Sequence, residues 1–234
     1  MAAEDRNDTP DGYASPACFM HEVDPAYMGL EMDGVGSKAW RKAERRRLID
    51  RRVLLGVSER ERRTAQICGH LDQLLPNIAG RNISLYWPFL GEPDLRGWMA
   101  SATGATCLLP VVAEKQKPLI FKSWRMGEAL VRGILNIPAP LNGEERLPDI
   151  VIAPLIGFDA QCYRLGFGGG YFDRTLAVLE PRPVAIGVGF DFQEIETIHP
   201  QPHDIPMDAI VTDTGIRFRK ESTAVFGSEV RPAP

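Results

Sequence analysis

Apolar residues recur along this chain at two spacings, and the change between them divides it into parts. From Ser37 to Gly56, "SKAWRKAERRRLIDRRVLLG" is made of helix formers and closes on a glycine, which predicts one helix. A second helix follows, with Ser58 and Glu61 spaced as a capping box, Ile67, Cys68, Leu71, Leu74 and Leu75 at helical intervals, and Pro76 at its end. Beyond it the pattern shortens to strand-length runs: "NISLYW" (82–87), "TCLLPVV" (106–112), "LIFKSW" (119–124), "DIVIAPLI" (149–156), "VAIGVGF" (184–190) and "DAIVTD" (208–213). Helical pieces are expected near 94–101 and over about 171–179. Nearly continuous Val, Ile and Leu in a run such as "DIVIAPLI" indicates burial on both faces of a parallel or mixed sheet. The expected fold is therefore α/β, a three-layer α/β/α sandwich around a mostly parallel or mixed sheet.

Three segments follow from the same pattern: an irregular arm over 1–36, an α/β domain over 37–220 and a frayed tail over 221–234. Within the arm, Cys18, His21 and Glu22 have no second matching cluster to complete a metal site, so docking of "PACFMHEVDPAYMGL" on the body is the preferred reading.

Composition narrows the function classes. The chain has 234 residues and a net charge of -4, which argues against general affinity for nucleic acid or membranes. Four cysteines without a CxxC pair indicate reduced thiols, and no apolar run approaches a membrane span. A cytoplasmic protein is expected. One segment departs from the average: residues 38–52 hold eight Lys and Arg against Glu44 and Asp50, a pattern open to a nucleic-acid-binding or regulatory module, though interleaved aromatics are lacking beyond Trp40.

The chemistry concentrates in "RLGFGGGYFDRTLA" (164–177), where Gly166 and Gly168 to Gly170 stand between Arg164 and Asp173. Glycines at such density let the backbone itself approach a ligand, and successive N–H groups in such a turn form a concavity suited to phosphate. The run ends where a helix is expected, whose free N–H groups would add to the site. Neither the dinucleotide fingerprint nor the Walker pattern fits: Tyr171 stands where the first needs glycine, and the second needs a lysine that is absent. Arg164 suits bidentate pairing with phosphate, and Asp173 suits Mg²⁺. A plain flexible turn, with Asp173 favouring a helix start, satisfies the local pattern equally well.

These residues resemble the R-L-G-x-G-x-G-[YF]-[YF]-D signature of the 5-formyltetrahydrofolate cyclo-ligase family, and "SLYWPFLGEPDLRGWM", "PDIVIAPLIGFD" and "PHDIPMDAIVTDTG" are similar in content and order to its other blocks. The resemblance covers roughly residues 38–215. It implies a Rossmann-like, CoA-transferase-like fold and an activity that consumes ATP and requires Mg²⁺: closure of 5-formyltetrahydrofolate to the 5,10-methenyl form, with phosphorylation of the formyl oxygen and release of ADP and phosphate. A paralogue that keeps the nucleotide half and takes another substrate is the alternative. A cytoplasmic monomer with a reduced folate as its small-molecule substrate is implied.

The resemblance also implies site residues. Arg164, Leu165, Gly166, Phe167, Gly168, Gly169, Gly170, Tyr171 and Phe172 map to the ATP phosphate site, with Arg164 and Tyr171 as catalytic residues. Some members carry lysine where Gly169 stands, so a cation must come from elsewhere. Lys42 and Arg46, one helical turn apart, are expected to supply it, with Lys38, Arg45 and Arg47 competing for the register. Asp173 and Asp208 match the Mg²⁺ aspartates. Glu92 and Trp87 match folate contacts, a carboxylate for the donor edge of a pterin and a flat ring to stack on it. A solvated basic face, a turn-capping Asp208 and a core Trp87 are the plainer readings. His199 and His203 are expected to be structural, with His203 at the edge of the site.

Overall fold

A computed structural model describes residues 37–222 and Phe226, and the expectations for Cys18, His21, Glu22 and the rest of 1–36 lie outside those residues. The chain opens with α1 (Ser37–Val53) and α2 (Val57–Leu74). There follow β1 (Asn82–Ser84), α3 (Arg96–Ser101), β2 (Thr106–Val111), β3 (Ile120–Ser123), β4 (Leu130–Arg132), β5 (Pro138–Pro140) and β6 (Ile150–Pro154). The remaining elements are β7 (Gly157–Phe158), β8 (Arg164–Leu165), α4 (Tyr171–Leu176), β9 (Val184–Val188), β10 (Ala209–Val211) and β11 (Ile216–Phe218).

Seven strands form one sheet in the order β11-β10-β9-β6-β1-β2-β3. The inner five run parallel, while β3 and β11 close the two edges antiparallel. Alternation along each strand sends neighbouring side chains to opposite faces. Leu109, Ile150, Ile152, Ile186, Val188, Ala209 and Val211 pack with Ile67, Leu71 and Leu74 of α2 and with Trp98 and Met99 of α3. Leu108, Val151, Ala153, Ala185 and Ile210 pack on the other face with Tyr171, Phe172 and Leu176 of α4. These are the three layers the strand pattern implies. Each fully buried Val, Leu or Ile contributes about 1.5–3 kcal/mol over its exposed state.

Strand order places the ligand crevice. β1 pairs with β2 on one side and β6 on the other, so successive crossovers leave in opposite directions from the β1/β6 pair, and ligands in open sheets bind outside the carboxyl ends there. α1 lies across this end: Leu48 and Ile49 form a third cluster with Leu90, which follows β1, and with Ile156 and Phe167, which follow β6 and β8.

Two local expectations change, both for helices. α2 begins at Val57 with Gly56 as its N-cap and no side-chain cap bond, so Ser58 lies inside the helix and the capping box does not form. α4 is only six residues long, shorter than the helix expected over 171–179. The tail is docked where it is described: the Ser222 hydroxyl is buried and donates to Asp208, and Phe226 packs edge-on against Phe218.

Candidate active site

The glycine run hangs from a small scaffold. β7 and β8 pair antiparallel, Phe158 opposite Arg164, and the buried Asp159 carboxylate closes their turn by accepting the N–H groups of Gln161 and Tyr163. Its other oxygen accepts Ile198 N–H, tying the turn to the 198–204 segment. Sequence reasoning missed Asp159; the side chain of an aspartate commonly bonds the backbone two residues on, and that habit in "FDAQCY" is the one signal that could have marked it as a turn residue.

Arg164 is buried at the start of the run. Its Nη2 donates to Asp173 Oδ2 at 3.1 Å, its guanidinium lies 5.0 Å from the centre of the Phe172 ring, and its Nε is buried without a partner. A buried donor left open costs about 1–3 kcal/mol, so the position favours an acceptor ligand. A Cβ at Gly166 would stand 2.5 Å from Arg164 Nη1, so a side chain there would displace the guanidinium from its present position. Gly170 has φ 63° and caps α4.

Gly166 to Asp173 and Pro154 line a cleft of about 70 Å³ with Arg41, Arg45, Arg164, His203 and Asp204. Leu165 lies beneath it in the core. Tyr171 is buried on the cleft wall, its hydroxyl accepting Gln116 N–H at 3.3 Å. Arg174 adds a cation that sequence reasoning missed: its Nη2 donates to Gly169 O and its guanidinium covers the Tyr171 ring at 5.1 Å.

α1 delivers its cations one residue earlier than expected. Arg45 Nε donates to Gly166 O at 2.7 Å, and Arg41 is buried, bonding Ile198 O, His199 O and Asp204. Lys42 and Arg46 are exposed on the other side of the helix. The inward stripe of α1 runs through Arg41, Arg45, Leu48 and Arg52 at spacings of three and four, with Arg41, Leu48 and Arg52 buried, and this rotation leaves Lys42 and Arg46 outside it. Burial, then the neighbouring Arg41 charge, pulls Arg45 down to about 10, still cationic at neutral pH. The His199 ring meets Trp40 edge-on at 4.6 Å, a packing role.

The two expected metal aspartates are not brought together. Asp208 immediately precedes β10, at the amino end of the strands, and its carboxylate accepts Arg182 Nη1, Ala185 N–H and Ser222 Oγ. The cleft opens at the other end of the sheet. Asp173 does lie in the cleft, held by Arg164 and by Ile205 N–H. Among the described residues no three His, Cys, Asp or Glu side chains gather into a metal cage. Mg²⁺ is commonly held by one or two carboxylates plus substrate phosphates, and Asp173, with Asp204 on the same cleft, fits that mode.

Glu92 and Trp87 also part company. Trp87 stands edge-on to Trp124 at 5.7 Å with the Arg96 guanidinium 4.4 Å above its ring, so that face is already covered. Trp124 and Phe121 are core. Glu92 turns inward behind the crevice, where burial pushes its carboxyl up to about 7 against the opposing pull of the Arg52 guanidinium and the Phe89 N–H. Phe89 stacks on Phe167 with ring centres 4.8 Å apart, joining the Glu92 loop to the glycine run. The Cys68, Cys107 and Cys162 thiols are pushed up to about 11, 12 and 11, chiefly by burial, and none is a ready nucleophile.

Fold and site define the class: an open-sheet α/β protein with a cationic, glycine-lined cleft at the carboxyl ends of its strands and a buried carboxylate beside it. The model of the 5-formyltetrahydrofolate cyclo-ligase family matches residues 37–213, and the chain belongs to that family. It is 31% identical over 153 residues to the 5-formyltetrahydrofolate cyclo-ligase of Escherichia coli (strain K12), covering 60% of this chain and 82% of that one. The Mycolicibacterium smegmatis counterpart is 28% identical over 175 residues, covering 70% and 89%. A solved 5,10-methenyltetrahydrofolate synthetase from Aquifex aeolicus superposes with a TM-score of 0.68 at 28% identity, over 77% of this chain and 93% of that one.

Proposed function

We propose that this protein closes 5-formyltetrahydrofolate to 5,10-methenyltetrahydrofolate with MgATP, releasing ADP and phosphate. The observation that carries this reading is the convergence of Arg41, Arg45 and the partly unpaired Arg164 on a glycine-lined cleft in a chain of the cyclo-ligase family. An N-formyl oxygen is amide-like and leaves poorly. Transfer of the γ-phosphoryl group to it makes a phosphate ester; N10 then adds to the formyl carbon and loses its proton. The C–O bond breaks with its electrons leaving on phosphate, and the N5,N10-methenyl cation remains.

Such chemistry asks a protein chiefly for positioning and charge neutralisation. Arg41, Arg45 and Arg164 bind the polyphosphate, and the N–H groups of Gly168 to Gly170 cradle it. Asp173 holds Mg²⁺, which when bound neutralises phosphate charge, while Arg174 fixes the Gly169 carbonyl and brings a further positive charge to the loop. Glu92 accepts the amino and ring N–H groups of the pterin. Two features support the pairing of sites: the Phe89–Phe167 stack links their loops, and the Glu92 loop follows β1 while the glycine run is reached from β6 through the β7–β8 hairpin. ADP release tests the reading. It should require 5-formyltetrahydrofolate and match the folate consumed one for one; ADP release indifferent to the folate would contradict it.

A further inference from the structure

Arg52 is the largest fully buried side chain among the described residues. It lies on the inward stripe of α1, four residues beyond Leu48. Its Nε donates to Leu90 O at 2.9 Å and its Nη1 to Leu155 O at 3.0 Å, one carbonyl from the segment after β1 and one from the segment after β6. The guanidinium thus spans the switch point. Its remaining nitrogen, Nη2, faces Glu92 Oε1 at 3.6 Å, beyond hydrogen-bond reach, and both atoms are buried without a hydrogen-bond partner. Glu92 Oε2 accepts the Phe89 N–H at 3.1 Å.

Two buried charges held close but unbonded are costly, because each has left water without gaining its full complement of bonds. The arrangement leaves Glu92 Oε1 with open acceptor capacity and an adjacent cation to keep it ionised. From this geometry, and resting on the functional reading above, we infer that Arg52 is a positioning residue: it staples the two strand-end segments and holds the Glu92 carboxylate ionised and open for an N–H donor of the folate. Arg52 itself touches neither substrate.

Desolvation alone favours the neutral carboxyl, and Arg52 opposes it. Among the described residues, Tyr86, Gln193 and Asp94 around Glu92 offer no substitute cation. Tyr86, on the chain leaving β1, donates its hydroxyl to Pro93 O, and burial, then the Glu92 charge, raises its pKa further. On the β6 side the neutral Gln193 amide bonds the carbonyls of Leu155 and Ile156. Asp94, nearby in the same loop, is paired with Arg96.

Protonation removes the charge and puts a donor on one of the two oxygens, so kcat/KM for the folate should fall on the acid side as Glu92 protonates, around pH 7. Arg52→Gln removes the cation and raises the Glu92 pKa. The acid limb should move up by about one pH unit or more, with KM for MgATP nearly unchanged and rate loss greater at pH 6.5 than at pH 9. A folded Arg52→Gln protein whose acid limb stays in place overturns the inference. Carboxyl NMR of wild-type protein carrying carbon-13 glutamate, with Glu92 identified through Glu92→Gln, gives a readout that survives misfolding of the arginine variant. A glutamate titrating near neutrality, whose pKa falls when 5-formyltetrahydrofolate binds, is expected; no such glutamate overturns it. An inactive wild-type enzyme would count against the functional reading, whereas an active one with an unmoved limb counts against Arg52 alone.

Discussion

Arg45 and Arg46 adjoin in the chain, yet only Arg45 reaches the glycine run, through its bond to Gly166 O. Removing Arg45 as alanine should weaken MgATP binding about tenfold or more, the scale of a hydrogen bond to a charged group, while Arg46→Ala should change it by less than about twofold. Calorimetric titration with MgATP measures both. The aspartates divide in the same way. Asp173→Asn should raise the Mg²⁺ concentration needed for half-maximal rate. Asp208→Ala should leave that requirement alone and cost about 1–3 kcal/mol of stability, because Ala185 N–H and Ser222 Oγ lose their acceptor. Rates across a Mg²⁺ series, with urea unfolding of both variants, separate the two roles.

At the scale of elements, α1 is the part whose rotation decides which cations serve the cleft. Leu48 is wholly buried against Leu90, Ile156 and Phe167, so Leu48→Ala should destabilise the protein by about 2–5 kcal/mol, read as a lower urea midpoint. The helix itself was legible from its composition, but its rotation was not: counting back by three and seven gives Arg45 and Arg41 from Leu48 but Arg46 and Lys42 from Ile49, and the burial of Arg41 and Arg52 beside Leu48 is what selects the first set. Reading spacing among the basic residues alone, without the apolar stripe, leads to Lys42 and Arg46. The central strands were legible because Val, Ile and Leu alternate between two buried faces. β7 and β8, each of two residues, lie below the length at which periodicity says anything, and with them went the turn that Asp159 holds.

Across the whole molecule, the strand order brings together what the sequence holds far apart. The segments after β1 and β6 meet at the switch point, and α1 spans them through Arg52 and Leu48 while its Arg45 reaches the glycine run. The glycine run stood out by its density, four glycines in five positions, but a plain flexible turn satisfied the local pattern equally well, and only the resemblance of the surrounding blocks favoured a phosphate site. Asp208 and Trp87 were not separable from it by sequence, because which end of a strand a residue occupies, and which neighbour covers its ring, depend on long-range pairing. The decisive measurement is the near-ultraviolet absorbance of the methenyl product when purified protein meets 5-formyltetrahydrofolate. The band should grow only with MgATP present and should be lost in Arg164→Ala. A flat trace from folded protein that still binds MgATP would contradict the proposed reaction.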